Sequence, residues 1–378
     1  MSPWTIVLAI LVFSVIILFH EFGHFIVEKW NKVKVLEFSL VMGPRLISWV
    51  KTIEGREIMF LKSSAFLEEH PEYNEQTIYS WKLLPFGGSC IMLGEEEDIA
   101  DYSSFSRKSV YALMAIIFAG PFFNFILAFI FSVILTAVMG YQSPQITVVA
   151  DNTPAQKSGL QVGDVVKEIN GKTMTIDGDI SLYTAYYGFP KGEDVTMVVE
   201  RDGQEKTIVM KPELMKDASG NENYRIGINH GKWEKVGILG NLKYSTYEMK
   251  YWIETVVKSL QGLVTKRFKA SDVSGPVGIV STMGKNIEAS GDKDNGGGPG
   301  MMVMSMIYWC IMLSANLGVM NLLPIPALDG GRLLFLIIEW IRRKPMNPKY
   351  EGYVNMAGFM LLMLLMVVIL GHDIINLF

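Results

Sequence analysis

Apolar residues along this chain gather into four long stretches, separated by segments of ordinary polarity. They cover about residues 4–27, 110–139, 301–323 and 352–371. Each reaches the roughly 20 residues a helix needs to cross a bilayer. The second, from Val110 to Met139, holds no formal charge. The pattern predicts four membrane-spanning helices.

The segments between them read differently. Residues 33–62 predict short strands broken by Gly-Pro and Glu-Gly turns, and 63–81 is a polar insertion. Residues 83–93, "LLPFGGSCIML", form a second apolar strand pair around Gly87 and Gly88. That pair either dips into the membrane as a hairpin or belongs to a small buried cytoplasmic sheet. Residues 142–212 alternate around Asp202-Gly203, a strong hairpin signal, after a short helix and a Gly-containing turn. This unit resembles a bacterial PDZ domain, a fold that binds extended peptide ends by strand addition. A small β-rich domain without a ligand is the plainer alternative. From 241 to 264, Met249, Ile253, Val256, Leu260 and Leu263 share one helical face. It suits either an interfacial helix or packing on the soluble domain. Residues 291–300 are a flexible linker.

Composition agrees with a membrane protein: 50% of the 378 residues are hydrophobic and 19% charged. The net charge of −4 offers no basic face, so nucleic acid is not an expected partner. The two cysteines, Cys90 and Cys310, lie in different kinds of segment, which argues against a disulfide framework. The residues before the first span carry no Lys or Arg, and a cleaved signal peptide is not expected. Lys and Arg crowd the segments between spans one and two and between spans three and four, while both chain ends lack them. The positive-inside rule then places both termini outside and those two segments in the cytoplasm.

Chemistry concentrates at two places. His20, Glu21 and His24 form H-E-x-x-H at the end of the first apolar run. On a helix the two imidazoles share a face and can meet one zinc ion, with Glu21 beside them as base. Ionisable groups at membrane depth are costly, and by default they mark function. Asp329 is the second such group, in "NLGVMNLLPIPALDGGRLL" just past Pro324 and Pro326. A catalytic zinc takes three protein ligands and leaves one position open. His20, His24 and Asp329 would complete that set, since both helices run inward and reach these residues near their cytoplasmic ends.

With these motifs, the chain resembles the site-2 protease family of intramembrane zinc metalloproteases, closest to bacterial regulator-of-sigma-E-protease-like members with one PDZ domain. "AGPFFNF", "LPFGGSCIMLGE" and "SGPVGI" add to the resemblance, which covers nearly the whole chain. It implies a polytopic α-helical membrane protein of four transmembrane helices, a membrane-associated β-hairpin region and one extracytoplasmic PDZ-like α+β domain. The expected division is 1–30 first span, 31–108 β region, 109–140 second span, 141–212 PDZ-like domain, 213–300 amphipathic region and linker, 301–345 third span, and 350–378 fourth span. It implies Zn2+ as cofactor, Glu21 as general base, and Asn321, Asn124, Gly87 and Gly88 as substrate-binding. Substrates would be single-span membrane proteins, such as membrane-bound anti-sigma factors or signal-peptide remnants, already shortened by an upstream site-1-type protease. The insertion at 63–80 is longer than the family pattern leads one to expect. A non-catalytic PDZ membrane scaffold is the competing class, and the intact Glu21 speaks against it. A metal transporter ranks lowest, because the ionisable ligands cluster at one depth. His70, His230 and His372 stand outside any paired motif and are expected to be ordinary solvent or interface histidines.

Overall fold

The computed structural model of the chain describes residues 3–52, 55–70, 73, 76–95, 99–216, 222–268, 274–292 and 296–375. It divides into two compact units, residues 1–128 with 271–378, and residues 129–270.

The first unit begins with α1 (Pro3–Trp30), one uninterrupted helix. Its buried line runs through Ala9, Val12, Ile16, His20 and Gly23, spaced three or four residues apart as a helix face requires. His20 is therefore part of the packing stripe. Next come β1 (Val35–Thr52), β2 (Gly55–Phe60), the short helix α2 (Ser64–Glu69) and β3 (Ile78–Met92). They form a sheet in the order β2-β1-β3. The expected short strands of 33–62 are instead one long bent strand and its hairpin partner. β1 carries the chain through its Gly-Pro turn by turning Val41 and Gly43 to φ +59° and +93°. Arg45 closes the bend with two 2.8 Å hydrogen bonds to the buried Glu37 carboxylate. The polar insertion folds back: Leu67 of α2 joins Val50, Met59 and Ile78 in a small core.

α3 (Val110–Met139) carries Pro121 in its interior, and a proline there removes one backbone donor. In the remainder of this unit, α7 (Pro276–Ser290) and α8 (Pro299–Asn321) precede α9 (Asp329–Arg342) and α10 (Pro348–Ile375). The expected third span thus ends at Asn321, and the segment to 345 holds a separate helix. α8 meets α3 through small groups: Ser314 Oγ donates to the Asn124 carbonyl at 2.8 Å, and a Cβ at Gly318 would stand 2.7 Å from Phe125. Small residues at membrane-helix contacts let backbones approach this closely. Asp373 of α10 accepts from the Gly275 and Gly278 backbone N–H groups at 3.0 and 2.8 Å, capping α7 and giving "SGPVGI" a structural role. Among the described residues, four helical segments are long and apolar enough to cross a membrane: Ile6–Trp30, Val110–Met139, Pro299–Asn321 and Lys349–Asp373. The chain is a multi-pass membrane protein with a β region.

In the second unit, β4 (Tyr141–Val149), α4 (Pro154–Lys157), β5 (Val165–Ile169), β6 (Lys172–Thr173) and α5 (Asp177–Tyr186) lead to β7 (Val195–Arg201) and β8 (Gln204–Met210). Arg201 pairs with Gln204 across Asp202 and Gly203, both at positive φ, so the sequence hairpin is present. After β9 (Glu213–Lys216) and β10 (Glu222–Arg225), β11 (Ile228–Glu234) returns to the sheet, whose order is β11-β4-β5-β7-β8. That last strand lies beyond residue 212, because its partner β4 is distant in sequence. α6 (Ile238–Val264) packs on α5, where a Cβ at Gly178 would stand 2.9 Å from the Tyr251 ring. Its five sequence-marked apolar residues are half-buried. A cavity of about 790 Å3 lies along β11 and α5, with Ile180, Phe189, Ile226 and Ile228 among its walls. His230 is not a solvent histidine, since its Nδ1 stands 2.5 Å from Asp177 Oδ1.

Candidate metal centre

One helical turn separates His20 from His24, and their Nε2 atoms are 3.3 Å apart with the rings edge to face. Asp329, the first residue of α9, brings Oδ2 to 3.2 Å from His20 Nε2 and 3.6 Å from His24 Nε2. A tetrahedral zinc with bonds of about 2.0–2.1 Å needs ligand atoms about 3.3 Å apart. The three observed edges therefore match a metal-sized triangle. Oδ2 of Asp329 is also buried without a hydrogen-bond donor among the described residues. Such an orphaned acceptor is costly, and a cation at the centre of the triangle satisfies it. The donor set fits the metal.

Close packing builds the triangle. A Cβ at Gly120 of α3 would lie 2.2 Å from His24 Nε2 and 2.7 Å from His20 Cε1. Only glycine allows α3 to lie against both rings. Likewise a Cβ at Gly330 would meet the Leu323 carbonyl oxygen at 2.2 Å, and one at Gly331 the Ile325 oxygen at 2.4 Å. These two glycines let the proline-containing turn fold onto the start of α9. Ala327, at φ +72°, completes the reversal that presents Asp329.

Partners behind the imidazoles hold them. His24 Nδ1 donates to the Ile116 carbonyl at 2.9 Å, and His20 Nδ1 is 3.1 Å from the Asn124 amide. Asn124, one of the residues expected to bind substrate, is fully buried against His20. Glu21 lies under β3, close to the backbone N–H of Cys90. Gly88 passes directly over it, a Cβ there standing 3.3 Å from Glu21 Cγ. Gly87 is buried at φ +80° against Met42. Asn321 ends α8 half-buried. The Ile116 carbonyl and Cys90 are not among the site groups expected from the sequence. "AGPFFNF" pointed to the right turn of α3, whereas these two contacts leave no local signal.

Two imidazoles from a membrane-length helix and a carboxylate from the start of α9, grouped closely enough to hold one metal ion, define a membrane protein with a candidate metal centre. The sequence matches the model of peptidase family M50 over residues 8–74 and 70–365. A chain of Clostridium acetobutylicum with a provisional zinc-metalloprotease name is 36% identical over 99% of this chain and 98% of its own length. The regulator of sigma-W protease RasP of Bacillus subtilis is 31% identical, with 99% of each chain covered. The zinc metalloprotease RasP of Bacillus licheniformis is 32% identical over 99% of both. The chain belongs to peptidase family M50, the site-2 proteases, and is a metalloprotease.

Proposed function

We propose that this chain is an intramembrane zinc protease in which His20, His24 and Asp329 hold the metal and Glu21 is the general base. The observation that carries the reading is the triangle of Nε2, Nε2 and Oδ2 at 3.2–3.6 Å with its orphaned carboxylate oxygen. When bound, Zn2+ supplies Lewis-acid polarisation of a peptide carbonyl and acidifies water. Glu21, beside the Cys90 N–H, takes the proton from the attacking water and passes it to the leaving nitrogen. Gly88 leaves the space above Glu21 free of a side chain, so an extended substrate can approach β3.

A peptide bond within a transmembrane helix is shielded by its own hydrogen bonds, so the substrate segment must unwind first. β3 is an edge strand, and edge strands accept an added strand; Gly87 and Gly88 mark where it would pair, with Asn321 steadying the substrate backbone. The substrates we infer are single-span membrane proteins, membrane-bound anti-sigma factors or signal-peptide remnants, trimmed first by an upstream site-1-type protease. The name of the Bacillus subtilis relative, regulator of sigma-W protease, supports this class. The PDZ-like reading of the second unit rests on its edge strand β11 and the cavity of mixed polarity beside it, which suit a peptide end or a size filter. Both termini would lie outside the cell membrane and the metal near its cytoplasmic side. The test is co-expression with a single-span substrate. Glu21→Gln should lower cleavage by about 10²–10⁴-fold with zinc still bound, and undiminished cleavage would remove Glu21 as base.

A further inference from the structure

A metal can be bound by an imidazole Nε2 only if that atom carries a lone pair, which in the neutral ring puts the proton on Nδ1. For His24 this is already decided. Its Nδ1 faces the Ile116 carbonyl at 2.9 Å, and a carbonyl can only accept, so Nδ1 is the protonated nitrogen. His20 has a less explicit partner. Its Nδ1 lies 3.1 Å from Nδ2 of Asn124, while Oδ1 of the same amide is buried with no donor among the described residues.

That arrangement conflicts with the triangle. A donating Asn124 Nδ2 would require His20 Nδ1 to accept, placing the ring proton on Nε2, between His24 and Asp329. The two ends of an amide differ only in which atom is oxygen, and the hydrogen-bond network decides the orientation. Turned over, the amide presents Oδ1 to Nδ1–H. The orphaned oxygen gains a donor, and His20 Nε2 faces Asp329 with its lone pair. The backbone of Asn124 is fixed in turn by Ser314 Oγ at 2.8 Å, so the amide is held by the helix that leads towards Asp329.

We propose that Asn124 is a positioning residue that acts through His20: its amide oxygen accepts from Nδ1–H and holds the ring in the tautomer that leaves Nε2 free for the metal. Asn124 is thereby assigned to the metal centre and not to the substrate. The inference rests on the zinc-site reading above. Outer partners of this kind typically change metal affinity by about 10–100-fold.

The test compares full-length wild type, Asn124→Leu and Asn124→Asp in detergent, measuring zinc affinity by competition with a chelator. Leucine keeps the branched shape, with somewhat more bulk, and removes the acceptor, whereas aspartate keeps the acceptor and removes the donor. The expected result is a loss of about 10–100-fold for leucine and retention within about threefold for aspartate. Leucine at wild-type affinity overturns the proposal, because the amide would then be packing alone. Aspartate as weak as leucine also overturns it, because the amide would then be needed as a donor. If the leucine variant does not fold, the aspartate variant decides by the same criterion. A His20→Ala, His24→Ala double variant is measured alongside. Zinc bound as tightly by it as by wild type brings down the zinc-site reading, and this inference with it, whereas zinc lost there and kept in Asn124→Leu removes only the role of Asn124.

Discussion

His20 Nε2 and Asp329 Oδ2 stand 3.2 Å apart, one from the first helix of the chain and the other from the first residue of α9. Nothing local brings them together. α3 lies against the two imidazoles at Gly120, and the folded turn before α9 delivers the carboxylate. The consequences of that packing can be measured.

Gly120→Ala should weaken zinc binding and cleavage together. Its Cβ would stand 2.2 Å from His24 Nε2, so either the ring or α3 must move. Overpacking of this kind costs about 1–3 kcal/mol, read as a lower Tm in detergent. Normal zinc content and normal cleavage would mean that α3 does not set the ring positions.

Asp329→Asn keeps the shape of the third donor and removes its charge. The expected outcome is zinc affinity reduced by at least about 100-fold, beyond the range typical of outer partners, measured by chelator competition. Added zinc should restore part of the activity. A variant that holds zinc like wild type would exclude Asp329 as a ligand.

Gly88→Val should separate chemistry from metal binding. The new side chain would crowd Glu21 Cγ, 3.3 Å from the added Cβ, and the Ser39 carbonyl at 3.4 Å. Cleavage is expected to fall at least about tenfold, since misplacing a catalytic group by about 1 Å can cost a hundredfold, with zinc content unchanged. Loss of zinc instead would place Gly88 among the supports of the metal.

In the second unit, burial pushes the Asp164 carboxyl up, but two hydrogen bonds from Arg201, at 2.6 and 2.7 Å, outweigh it and hold the group below the ordinary carboxylate range. A depressed carboxylate contributes stability above its unfolded pKa of about 4 and loses it as pH falls through the folded value. Hydrogen-exchange protection of β5 and β7 should therefore decline below about pH 4. Arg201→Leu, which strands a buried charge, should cost about 3 kcal/mol at neutral pH. Protection that is flat between pH 5 and 2 in wild type would refute the assignment.

Much of this architecture was legible from the chain. The four membrane-length helices among the described residues follow from apolar length, the Asp202-Gly203 hairpin from its turn residues, and the pairing of His20 with His24 from a spacing of one helical turn. Each is a property of one contiguous segment, where the backbone period alone dictates what shares a face. Asp329 stood out because a carboxylate beside a proline-broken apolar run is costly unless it is used.

What the sequence by itself determined was which segments are helical or extended, and which side chains can bind a metal. The tertiary structure decided the rest: that Val35–Thr52 bends as one strand, that β11 from past residue 212 completes a sheet begun at 141, and that the Asn124 amide is buried against His20. The division is physical. Local periodicity is written in neighbouring residues, whereas a helix contact a few ångströms wide depends on which Cβ atoms are missing at the crossing, and a lone glycine such as Gly120 does not say what will fill the space it leaves.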